Sequence, residues 1–277
     1  MVKKRLDRRL SVSLVLYSGL QVRPMDHSFI HIPDSFDSAP PPIEARVDAQ
    51  PFAPDDQLRL HIDQLWERRT AQSARVGRDW YNGQIWRPLG FADGKLQVSQ
   101  DWFKNFIGTA KLPAKTAHAE RVGHVSVAVL PALVEEYGGR ALGGVLFRRA
   151  ANALAFGGWL SGLGGFMEPP NDGTDPLAAA LREIREETGL EIQRSQLHYI
   201  GLGHSAASGA FNYCFVLELT AKDLDRGISF NDGEMTGYRR VPLWLLHVLA
   251  SGWVPLVAPW VRAFAKRTLE HFADRLK

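Results

Sequence analysis

Apolar residues recur along the second half of the chain in two rhythms. Val125-Ser126-Val127-Ala128-Val129-Leu130, Gly144-Val145-Leu146-Phe147, Leu197 to Leu202 and Asn212 to Leu219 are short, mostly apolar runs, the pattern of buried strands. Glu135-Glu136-Tyr137-Gly138-Gly139 connects the first two. Between the second and third runs the rhythm turns helical, with Leu177, Ala180, Leu181 and Ile184 falling on one face. Asp175 supplies an N-cap, Pro176 suits the first helical position and Gly189 a C-terminal stop, which predicts a helix over 176–188. Tyr238 to Val241 predicts a further strand. From Val241 to Val261 there is no charge, but Pro242, Gly252, Pro255 and Pro259 interrupt it. Two short buried helical pieces joined at Ser251-Gly252 fit better than a membrane span.

The first half is less regular. Basic residues followed by Leu10 to Leu16 predict a first strand rather than a leader, because the apolar part is short and Asp7 interrupts the charges. The proline-rich stretch from Asp37 to Pro54 predicts an irregular connection. Asp55 or Asp56 then caps a helix through Leu58, Ile62, Leu65 and Trp66. Asn82-Gly83 and Asp93-Gly94 are hairpin signals around the strand Ile85 to Phe91, with Lys95 to Val98 as its partner. Trp102, Phe103 and Phe106 predict a short helix. A boundary near Ala110 to Val122 divides the chain into an α+β unit over 1–115 and a larger unit over 116–277.

Of the 277 residues, 45% are hydrophobic and 23% charged, the balance of a globular protein with a real core. Lys+Arg number 33 against 30 Asp+Glu, too even to argue for a nucleic-acid-coating protein. The local excess of Lys3, Lys4, Arg5, Arg8 and Arg9 reads as a solvated terminus. The single cysteine, Cys214, excludes an intramolecular disulfide and fits a reducing, cytoplasmic setting; its apolar surroundings predict a buried, unreactive thiol.

The chemistry concentrates in Arg182-Glu183-Ile184-Arg185-Glu186-Glu187-Thr188-Gly189-Leu190. On the predicted helix Glu183, Glu186 and Glu187 share an arc of roughly 100°, beside the apolar face. Like charges three and four apart repel, and hard divalent cations with oxygen ligands turn that cost into binding energy. Glu183 and Glu187 are one turn apart and can reach one ion, while Glu186 widens the site to more than one.

This stretch resembles the second half of the Nudix signature, Arg-Glu-apolar-x-Glu-Glu-x-Gly-apolar, at every defined position. Gly164-Gly165-Phe166-Met167-Glu168-Pro169 resembles the glycine loop that precedes it. Pro170-Asn171-Asp172-Gly173 then lengthens the loop, and Thr174 stands where the pattern has its first glutamate. The resemblance implies an α/β/α sandwich and metal-dependent cleavage of a nucleoside diphosphate linked to another group. Mg2+ is the implied cofactor, Mn2+ its alternative, and a small-molecule nucleotide the partner. It implies Glu183, Glu186 and Glu187 as metal ligands, with Arg182 orienting a glutamate. Glu234, in Asn231-Asp232-Gly233-Glu234, is the candidate loop acid, as ligand or general base. Gly164 and Gly165 are expected to bring backbone N–H groups to phosphate oxygens, and Glu168 either joins the metal cluster or fixes the loop.

Trp66, Tyr81-Asn82-Gly83, Phe103 and Phe106-Ile107-Gly108-Thr109 are similar to the N-terminal extension of animal UDP-glucose/UDP-galactose pyrophosphatases of this superfamily. That favours a UDP-sugar substrate, with ADP-ribose or a dinucleotide as the alternative. A silent nucleotide- or RNA-binding domain is the competing class, favoured by the longer loop and Thr174 and opposed by the intact glutamates. Trp80, Tyr81, Trp86 and Phe211 are candidates for base stacking, though each is more often core, and His204 a candidate loop contact.

Overall fold

Local signals set the best-defined element. The Asp175 carboxylate accepts from the Leu177 N–H at 2.9 Å, Pro176 begins the helix, and Gly189 ends it at φ 69°, its N–H donating to the Arg185 carbonyl. The computed structural model describes residues 27–273 except 36–37, 48, 76–80, 111, 113–120, 154–155, 206–207, 231–232, 252–256 and 258. The basic terminus, the first strand expected at Leu10 to Leu16, Trp80 and Asn231-Asp232 therefore lie outside the described residues.

The strands are β1 (His27–His31), β2 (Ile43–Ala45), β3 (Gln84–Ala92), β4 (Lys95–Trp102), β5 (Val125–Val134), β6 (Ala141–Arg149), β7 (Leu160–Ser161), β8 (Leu197–Ser205), β9 (Ala210–Leu219) and β10 (Met235–Pro242). The helices are α1 (Asp56–Ala74), α2 (Phe103–Thr109), α3 (Pro169–Asp172), α4 (Pro176–Thr188), α5 (Ala221–Asp225), α6 (Leu243–Ala250) and α7 (Pro259–His271). A mixed sheet runs β1-β8-β9-β5-β6-β10, with β7 on β6; among the described residues its β5 and β9 pair in parallel and its other neighbours antiparallel. A second sheet runs β2-β4-β3.

Alternation along β9 explains the layering. Tyr213, Phe215, Leu217 and Leu219 point to one face of the sheet, where Ala179, Ala180 and Ile184 of α4 and Trp86, Leu96 and Val98 of the small sheet join them. Cys214 and Val216 point to the other, against Leu246 and Leu249 of α6 and Val261, Phe264 and Ala265 of α7. The result is the expected α/β/α sandwich with a smaller mixed unit beside it. Among the described residues no helix is long and apolar enough to cross a membrane.

Three features differ from the sequence expectation. The proline-rich connection contains β2, which pairs in parallel with β4. Asp93-Gly94 is the hairpin turn, with φ 51° and 71°, whereas Asn82-Gly83 is not: Asn82 Oδ1 accepts from the Lys104 N–H at 2.8 Å and caps α2 instead. The strand β1, early in the chain, pairs with β8 in the large sheet, so the division expected at 115/116 is crossed by an edge strand.

Side chains from before and after residue 115 meet at a cluster of rings. Phe166, from the glycine loop, lies 5.2 Å from Phe103, 5.3 Å from Phe106 and 4.6 Å from His124 between centroids. His124 is half-buried, its Nδ1 atom enclosed without a hydrogen-bond partner, and desolvation lowers its pKa from 6.5 to about 4. Between those values the unfolded chain binds a proton that the folded chain refuses. The contribution of His124 to stability is therefore fully present above 6.5 and is lost as pH drops towards 4, by up to about 3 kcal/mol at 1.36 kcal/mol per unit. Urea midpoints of the wild type and His124→Leu, compared between pH 7 and 4.5, check this: the variant should lose less stability.

Candidate active site

The helix α4 carries its acids on the edge of its buried face, so the site is built from charge taken partly out of water. Arg182, its side chain 11% exposed, organises it. Nε donates to Asp172 Oδ1 at 2.8 Å and Nη2 to Asp172 Oδ2 at 2.9 Å, a bidentate pair. Nη2 also donates to the Phe166 carbonyl, while Nη1 reaches Glu186 Oε2 at 2.8 Å and Glu183 Oε1 at 2.9 Å. Burial works against the guanidinium charge, and Asp172, Glu183 and Glu186 outweigh it, so its pKa is raised.

Glu187 is the most enclosed acid, 1% exposed. Its Oε2 accepts from the Gly164 N–H at 2.9 Å, while Oε1 is buried with no hydrogen-bond partner. Burial first, then the charge of Glu183, push its pKa well above the ordinary value; the Gly164 N–H and Arg149 oppose this. Burial also raises Glu183 to about 8, against Arg182 and with Glu186 and Glu234. Buried acids that repel one another, one with an orphaned oxygen, suit a cation. Glu183, Glu186, Glu187 and Glu234 could hold a divalent ion, and their oxygen donors suit a hard one.

The glycine loop is shaped around these carboxylates. A Cβ on Gly165 would sit 2.5 Å from both Glu183 oxygens, and one on Gly164, at φ 130°, would sit 2.2 Å from the Val127 carbonyl. The expectation of open backbone N–H groups needs correction for Gly164, whose N–H is taken by Glu187. Glu168 fixes the loop: its carboxylate accepts from Asn171 Nδ2 at 2.6 Å, and its N–H donates to Asp172. The added loop residues form α3, and Trp86 Nε1 donates to the Gly173 carbonyl at 2.6 Å, docking the small sheet on the loop.

Two residues of the site escaped the sequence reading. Asp172 provides the buried counter-charge to Arg182, two residues before Thr174, which is exposed. The signal was an acid near the expected place, displaced by the longer loop. Arg149, at the end of β6, donates from Nη2 to Glu234 Oε2 at 3.1 Å and so ties the loop acid to the sheet. Glu234 itself is 45% exposed in its side chain. Of the stacking candidates, Trp86 and Phe211 are core at 5% and 9% exposure, whereas Tyr81 is exposed at 81%. His204 stacks on Phe211 at 4.6 Å in the sheet.

The NUDIX domain family model matches residues 124–264, half of the chain and all the residues of this cluster. No curated protein matches the sequence. Solved structures similar to it include a MutT/nudix family protein from Enterococcus faecalis at 13% identity, covering 48% of this chain and 46% of that one with a TM-score of 0.35. Another is the NUDIX domain of Shewanella oneidensis NrtR in complex with ADP ribose, at 14% identity, 57% and 90% coverage and 0.41. A third is a C. elegans Ap4A hydrolase, at 13% identity, 54% and 98% coverage and 0.38. The chain thus spans less than half of the Enterococcus protein that it matches. The family model alone carries the assignment: the chain belongs to the Nudix family.

Proposed function

We propose that the protein is a metal-dependent pyrophosphohydrolase that cleaves a nucleoside diphosphate linked to a sugar, UDP-glucose or UDP-galactose, to UMP and sugar 1-phosphate. The observation that carries the metal site is the buried Glu187, its free oxygen beside a Glu183 whose pKa is raised to about 8. Glu183, Glu186 and Glu187 would hold Mg2+, with Mn2+ as a substitute. When bound, the ion neutralises the diphosphate and makes the attacking water more acidic.

The chain's own residues do the rest. The Gly164 N–H fixes one oxygen of Glu187, and the Arg182 Nη1 atom holds both Glu183 and Glu186. Glu234, held by Arg149, accepts the proton of the water that attacks phosphorus. The new bond joins water oxygen to phosphorus, the bridging P–O bond breaks, and the bridging oxygen leaves on the other phosphate.

The sugar rests on the N-terminal motifs. Trp66 packs on Phe103 at 6.1 Å, and Phe103 on Phe166, so these residues seat the N-terminal unit against the glycine loop. ADP-ribose or a dinucleotide is the second reading, prompted by the ADP ribose named with the Shewanella domain and the Ap4A named with the C. elegans hydrolase. Initial rates with Mg2+ on UDP-glucose, UDP-galactose, ADP-ribose and Ap4A decide between them. The UDP-sugars are expected to turn over at least tenfold faster in kcat/KM. Turnover of ADP-ribose without turnover of UDP-sugars would overturn the sugar assignment.

A further inference from the structure

The face of the sheet opposite α4 carries a second cluster of metal-ligating side chains. His198 from β8, Glu218 from β9 and His271 from the end of α7 each place one ligand atom within 4.8 Å of the others. Alternation sets them apart from the candidate active site: Glu218 shares its face with Cys214 and Val216, which pack under α6 and α7. In register it lies beside Ala132, whereas the glycine loop bonds to Val127 and Val129.

From these positions we infer that His198, Glu218 and His271 form a binding site for a borderline transition ion, Zn2+, which fastens the end of α7 to the sheet. Glu218 is the centre, its side chain 3% exposed, with Oε1 at 3.4 Å from His198 Nε2 and 3.9 Å from His271 Nε2. The His198 Nε2 atom is buried and makes no hydrogen bond. These separations exceed the roughly 2.7–3.2 Å of a direct N–H···O bond. The first matches the ligand–ligand edge of about 3.3–3.4 Å that a tetrahedral ion at about 2.0–2.1 Å imposes, while the second and the 4.8 Å span of the three atoms are longer, so binding the ion would draw the His271 ring inward. Glu218 Oε2 accepts from the Gly138 N–H at 2.7 Å, which leaves Oε1 turned to the imidazoles and fixes the carboxylate as outer-shell partners fix ligands. The two rings stand 4.8 Å apart between centroids, tilted by 36°. Two imidazoles and one carboxylate select zinc-like ions over Mg2+, which prefers oxygen. The His198 side chain is 20% exposed, so the cluster lies just beneath the surface.

Zinc retention by the full-length protein tests the site. Chelator-stripped protein carrying Glu187→Gln, which weakens ion retention at α4, is loaded with Zn2+, dialysed with excess Mg2+ to occupy the remaining oxygen ligands there, and analysed for zinc. One equivalent is expected, together with a rise in thermal midpoint on zinc addition. Adding His198→Ala, at a partly exposed position that leaves the fold intact, should remove both, with affinity falling by more than the roughly 10–100-fold that loss of an outer-shell partner costs. Co2+ in place of Zn2+ should give visible bands of nitrogen ligation that the same substitution abolishes. No retained zinc before that substitution, or an equal amount after it, overturns the site.

Discussion

Glu187→Gln is expected to lower kcat about 10³-fold or more while leaving the protein folded and no less stable. Glutamine keeps the acceptor that receives the Gly164 N–H and nearly the same volume, so the loop contact survives. It removes one of the charges whose mutual repulsion, with burial, raises the pKa values here, so stability stays level or increases. What it takes away is the anionic oxygen that is buried without a partner. A catalytic ion supplies several kcal/mol of transition-state charge stabilisation, and each 1.36 kcal/mol is tenfold in rate. A purely structural Glu187 predicts the reverse: altered stability and near-normal turnover. Steady-state rates beside thermal midpoints distinguish the two.

Asp172→Ala is expected to cost about 3–5 kcal/mol of stability, because it leaves the largely buried Arg182 without its bidentate counter-charge. It also removes the acceptor for the Glu168 N–H, which begins α3. Arg182 keeps Glu183, Glu186 and the Phe166 carbonyl, so the loss lies towards the lower end of that range. Displacement of the guanidinium moves both glutamates that it holds. Misplacement of about 1 Å costs on the order of 10²-fold in rate, so kcat should fall even at temperatures where the variant is fully folded. Asp172→Asn, which keeps shape and an acceptor but not the charge, should recover part of the stability and less of the rate. Urea denaturation and single-temperature kinetics on both variants measure this.

How much of this was legible follows from the range of each interaction. The helix α4 was readable to its ends because cap, first proline, apolar period and terminal glycine all act within a turn of the residue that carries them. The carboxylate cluster followed from the same period. The Arg182 partner did not, because α3 returns Asp172 to the helix through a loop whose length breaks the expected spacing. Arg149 was hidden for a related reason, since its meeting with Glu234 depends on β6 pairing with β10. Asn82-Gly83 has the composition of a hairpin turn, yet the side-chain oxygen of Asn82 found an open N–H at the start of α2 and became a cap. From sequence Trp86 is a stacking candidate that is more often core, and its docking on Gly173 shows that it is core. The placement of β1 beside β8 joins residues far apart in the chain, with no local signal to announce it.

The central claim is that the acids of α4 hold the ion on which hydrolysis depends. Mn2+ titration of chelator-stripped protein, with free ion followed by electron paramagnetic resonance, tests it most directly when wild type and Glu187→Gln are compared at matched protein concentration. Mn2+ uptake by the wild type is expected to parallel the return of turnover, with affinity at least tenfold weaker in Glu187→Gln. Equal Mn2+ affinity in the two proteins, or full hydrolysis in the presence of chelator, would contradict it.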